Sequence, residues 1–147
     1  MKDFDRVRVL IKAKDVKAAL ALIDRIESEN GSSARLLVLK ALCLQLSDNA
    51  APEDVVHALN GALLLDDEYV DAHLEMGWFH LVMLDDAEGA KISFGRAMDL
   101  LTKLNQEVVR GLLACDQELM PDIAPEIAKI QYQDALVRAE PDAAQNQ

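Results

Sequence analysis

Apolar residues recur every three or four positions along almost the whole of this chain, the spacing of one helix face rather than the alternation of a strand. That periodicity predicts an all-α fold. Eight helices are expected, over about 2–13, 15–28, 33–46, 52–65, 69–84, 87–103, 106–119 and 123–139. The punctuation between them agrees. Asp15 is placed to cap the second helix, and Asn30-Gly31-Ser32-Ser33 offers a glycine stop followed by a capping serine. Pro52 stands where a first helical residue belongs, with Glu53 and Asp54 in the turn that favours acids. Asp85-Asp86-Ala87-Glu88 reads as another acidic start, and Pro121 and Pro125 close one helix and open the next. Leucine and alanine dominate, while aromatic residues make up only 4% of the chain, a balance that favours helix over sheet. A length of 147 residues suits one domain, expected over 1–139, followed by a flexible polar tail over 140–147 that carries Pro141.

Eight helices joined by short turns call for a search for repeats. Ala19-Leu20-x2-Ile23-x2-Ile26, Val55-x3-Leu59-x2-Ala62-Leu63 and Ala90-x3-Phe94-x2-Ala97-Met98 are versions of one pattern. Ile26, Ala62 and Ala97 stand 36 and 35 residues apart. The stretch His73-x2-Met76-Gly77-x2-His80, then Ala90-x3-Phe94-x2-Ala97, resembles the tetratricopeptide repeat pattern, with one extra residue in the turn. The unit before it, Leu37-x2-Lys40-Ala41-x2-Leu44 with Val55-x3-Leu59-x2-Ala62, is a looser version. Asp15-Val16-x2-Ala19 keeps the second helix of a first unit. The resemblance covers about residues 3–104 and is strongest over 62–98.

The resemblance implies a right-handed superhelix of antiparallel hairpins, about three such units plus a terminal helical pair. Gly77, Ala90 and Ala97 would let paired helices approach, with Phe94 filling the space between them. It also implies that the first helix of each unit lines a concave face. In this register that face carries Val38, Leu42, Gln45 and Leu46 in one unit, and Asp71, Leu74, Trp78, Leu81 and Val82 in the next. Family members that grip the acidic tails of heat-shock chaperones use Lys and Asn there. Val38, Leu42, Leu74 and Trp78 hold the matching positions, which argues against that role. The apolar character points instead to an apolar or amphipathic segment of a partner protein, with Trp78 as anchor. Two other readings stand beside it: self-association, with the groove filled by the chain's own last helices or by a second copy in a homodimer, and a likeness to the small acidic secretion chaperones.

Charge and chemistry narrow the field further. A net charge of −11 repels nucleic acid and anionic membranes and leaves an apolar or basic protein partner. The start MKDFDRVRVL has no apolar signal core and no apolar run nears membrane-spanning length, so a cytoplasmic protein is expected. Cys43 and Cys115 read as reduced core thiols. His73 and His80 share a helix face but lie about two turns apart, too far to ligate one metal, and read as packing residues. The acidic runs Asp66-Asp67-Glu68 and Asp85-Asp86-Glu88 read as caps and solvated surface. With neither a glycine-rich phosphate loop nor an activated nucleophile, no catalytic residue, cofactor or metal is expected, and no enzyme.

Overall fold

The computed structural model describes residues 2–130 and 132–133, and all of its regular structure there is helical. Seven α-helices occur among these residues: α1 Asp3–Lys12, α2 Val16–Asn30, α3 Ala34–Gln45, α4 Pro52–Leu65, α5 Val70–Trp78, α6 Ala87–Leu119 and α7 Pro125–Ile130. The chain divides into two compact units, residues 1–97 and 98–147, with α6 running through the boundary. The tail expected over 140–147 lies outside the described residues.

Local chemistry sets the helix ends in the first unit. The Asp15 carboxylate accepts from the Ala18 amide at 3.1 Å, and the Ser33 hydroxyl from the Leu36 amide at 3.2 Å. Gly31, at φ 79°, lets the chain leave α2 in a conformation that a side chain would resist. Pro52 opens α4. Asp86 caps α6, accepting from the Gly89 amide at 2.9 Å.

In this unit α1 packs on α2, α2 on α3, and α3 on α4; α3 also meets both α1 and α5. Helix α3 is apolar almost all round because it feeds two cores. Leu36, Leu39 and Cys43 join Val7, Ala19, Ile23 and Ile26 of α1 and α2. Val38 and Ala41 join Val55, Leu59, Ala62, Ala72, Met76 and Phe79. Gly77 brings α5 onto α6: a Cβ there would lie 2.7 Å from Phe94 Cε1. The Phe94 ring also meets Trp78 edge to face, with centroids 5.2 Å apart. Ala90 and Ala97 are buried on the same face of α6.

Two expectations need correction. The break expected after 84 is present, with the end of the helix before it in π geometry, but the break expected after 103 is absent. Helix α5 widens over Phe79–Met83 into π geometry, which takes up an extra residue per turn, before Asp85 turns the chain at φ 52°. Residues 87–119 then form one helix of 33 residues. Leu104-Asn105-Gln106 contains no Pro or Gly, and nothing there stops propagation. Of the helix expected over 123–139, Pro125–Ile130 is helical, and residues 131 and 134–139 lie outside the described residues. Finally, Cys115 is exposed rather than in a core, because it rides on a stripe of α6 that stays open among the described residues.

Candidate functional site

The helices α1, α3 and α5 lie side by side and enclose a cleft of about 340 Å³. Ile11 from α1 and Val38, Leu39 and Leu42 from α3 give it an apolar floor. Arg8, Lys12 and Arg35 form one rim and Asp71 and Glu75 the other, with Tyr69 beside the acids. The positive and negative rims follow from helix register. Arg8 and Lys12 are one turn apart on α1, and Asp71 and Glu75 one turn apart on α5, so each pair projects from a single face.

The acidic rim is electrostatically unusual. Burial pushes the Glu75 carboxyl above the usual carboxylate range, the neighbouring Asp71 charge adds to this, and the Gln45 amide offsets part of it. Gln45 Nε2 is buried and finds no partner of good hydrogen-bond geometry among the described residues. Its effect on Glu75 is that of a nearby dipole. The Tyr69 hydroxyl donates to Asp71 Oδ2 at 3.3 Å, and burial raises its pKa, with Asp71 acting in the same direction. Across the cleft, the Arg35 guanidinium lies 4.5 Å from the centre of the Phe4 ring, which fixes one cation of the basic rim.

The structure separates the nine expected surface residues into two groups. Val38, Leu42 and Asp71 line the cleft, and Gln45 reaches Glu75 on its acidic rim. Val38 is 4% exposed and belongs mainly to the core, so it offers a floor rather than a projecting contact. The others do not line the cleft. Leu74, half-buried, then Trp78, Leu81 and Val82 continue from Asp71 along α5 and its π turn, at roughly one-turn spacing. Trp78 is 51% exposed and Val82 73%, despite the contact with Phe94. Leu46, at the end of α3, is also exposed. Sequence reading missed Arg8, Ile11 and Lys12, although the i, i+4 repeat of Val7 with Ile11 and of Arg8 with Lys12 on α1 could have indicated them.

The remaining polar clusters are accounted for locally. His73 Nε2 donates to the Asp67 carbonyl at 2.7 Å, and His80 Nδ1 to Asp86 Oδ2 at 2.9 Å. A Cβ on Gly89 would lie 2.6 Å from His80 Nδ1, so glycine is required where this turn closes. Hydrogen bonds hold the Asp86 carboxyl below the usual range, first from the Gly89 amide and then from His80. Burial raises the Cys43 thiol to about 11, which keeps it protonated and unreactive. Among the described residues no three His, Cys, Asp or Glu side chains are grouped to hold a metal, and no helix is long and apolar enough to cross a membrane. Comparison with protein-family models, with curated proteins and with solved structures found no match.

Proposed function

We propose that this chain is a tetratricopeptide-like, non-catalytic binding module whose α1–α3–α5 face receives an amphipathic segment of a partner protein. The observation that carries this reading is the cleft itself, an apolar floor between a cationic and an anionic rim. A segment with apolar residues at its centre and a basic side chain at one end satisfies both floor and acidic rim. A cation beside Asp71 and Glu75 would relieve the raised carboxyl, so the site gains from that charge in particular. From there the exposed stripe of Leu74, Trp78, Leu81 and Val82 extends the contact along α5. The packing of α3 on both α1 and α5, and the fit of Phe94 over Gly77, support the repeat reading.

Selection of short peptides from a random display library tests this. Selected sequences are expected to pair apolar residues with a basic end. Leu42→Glu is expected to weaken their binding at least tenfold, about 1.4 kcal/mol, because it buries an unpaired charge in the floor. His57→Ala, on the exposed face of α4, should leave it unchanged. Peptides bound equally by both variants would refute the site.

A further inference from the structure

The two rims of the α1–α3–α5 cleft carry opposite charge but do not close on each other. Among the described residues Arg8, Lys12 and Arg35 make no ion pair with a carboxylate, and Asp71 and Glu75 make none with a Lys or Arg. Acids are not scarce, since they outnumber bases by 26 to 15 in the chain. Elsewhere on α3 they do neutralise a cation: Lys40 lies 3.4 Å from both Asp24 and Glu27. Topology keeps the rims apart. Helix α3 meets both α1 and α5, and its Val38, Leu39 and Leu42 hold apolar surface between the charges. Tyr69 feels both rims: burial and Asp71 push its hydroxyl pKa up, while Arg35 and Arg8 pull it down.

We infer that the cleft reads charge order, and that its ligand is a dipolar protein segment. An acidic side chain of that segment lies against Arg8, Lys12 and Arg35, a basic one against Asp71 and Glu75, and apolar residues cross the floor between them. The inference rests on the binding role proposed for this cleft and adds to it the acidic end and the residues that select it. A wholly acidic segment would meet Asp71 and Glu75, and a wholly basic one would meet three cations. Like charges brought together cost more than an exposed ion pair contributes, so the rims select mainly by exclusion. Arg35 is the cation best prepared. With its guanidinium held 4.5 Å from the centre of the Phe4 ring, it loses little side-chain freedom when a carboxylate arrives, and its planar fork offers two bonds. Arg8 and Lys12, exposed and one turn apart, add charge rather than geometry.

Three synthetic peptides test this, blocked at both termini and alike in length and apolar centre. One carries glutamate at one end and lysine at the other and is made in both orders; the second carries lysine at both ends, and the third glutamate at both. Binding to the full chain is followed by fluorescence anisotropy at about 0.15 M salt, where a screening length of about 8 Å damps the distant part of the −11 net charge and spares groups in contact. The wild type should bind the better dipolar peptide about fivefold or more tighter than either of the others. Arg8→Glu combined with Lys12→Glu should make the lysine–lysine peptide the tightest, a gain that damage to the fold cannot produce. Asp71→Lys should favour the glutamate–glutamate peptide in the same way. Equal wild-type affinities for all three, each weakened by Leu42→Glu, would overturn the charge-order inference and leave the cleft as the binding site. Loss of the dipolar peptide in the Arg8→Glu, Lys12→Glu chain with no gain for the lysine–lysine peptide would overturn it too. No binding at all, or binding that Leu42→Glu leaves unchanged, overturns both the inference and the site.

Discussion

Replacing Gly77 with alanine sets two effects of known size against each other. In an ordinary helix interior the change stabilises by about 0.5–1 kcal/mol, because alanine loses less backbone entropy on folding. Here the added Cβ would lie 2.7 Å from Phe94 Cε1 and 2.8 Å from both Cδ1 and Cζ, closer than carbon atoms tolerate. The ring cannot yield freely, since its other contact is the Trp78 indole at 5.2 Å. Overpacking of this kind costs about 1–3 kcal/mol, so the net expectation for Gly77→Ala is a loss of about 0.5–2 kcal/mol, with a larger loss for Gly77→Leu. Gly95, on α6, is the internal control. A Cβ there meets nothing, and Gly95→Ala should stabilise by about 0.5–1 kcal/mol. Urea titrations followed by circular dichroism and by Trp78 fluorescence measure both. Shortening the ring with Phe94→Leu should recover part of the Gly77→Ala loss, a coupling of about 0.5 kcal/mol or more in a double-mutant cycle. If Gly77→Ala stabilises like Gly95→Ala and shows no coupling to Phe94, the close approach of α5 and α6 is refuted.

Other outcomes follow from the same structure. A thiol reagent should modify Cys115 in the native protein and leave Cys43 untouched until the chain unfolds; early loss of Cys43 would contradict its burial. The folded-state pKa of Glu75 lies above its unfolded value, so the folded chain holds more protons and this group costs stability as pH rises through and above the ordinary carboxylate range. Glu75→Gln should therefore melt higher than wild type at neutral pH, with the gap closing below pH ~4. An equal melting temperature at neutral pH would refute the assignment.

The first five helices were legible because their ends carry strong local signals. Asp15, Gly31, Ser33 and Pro52 each do at one backbone position what few other residues can. The two cores were legible for a related reason, since buried Val55, Leu59 and Ala62 fall at one-turn spacing. What followed Trp78 was not. Nothing in the residue types of Phe79-His80-Leu81-Val82-Met83 distinguishes a π turn from an α turn. No residue at 104–105 enforces the break expected there, and α6 runs through it. The candidate site was legible on α3 and α5 through their register. The cationic rim was missed: the i, i+4 spacing of Arg8 and Lys12 puts them on one face of α1, but the side on which α1 meets α3 appears only in the structure.

The central claim is that the α1–α3–α5 face receives the partner segment, and methyl-resolved NMR tests it most directly. In a chain labelled at leucine and valine methyls, a selected amphipathic peptide should shift Leu39, Leu42, Leu74, Leu81 and Val82 together as it is titrated. Leu101, Leu104, Val108 and Leu112 of α6 should hold their positions. Shifts confined to α6, with the cleft and α5 methyls unmoved, would contradict the account.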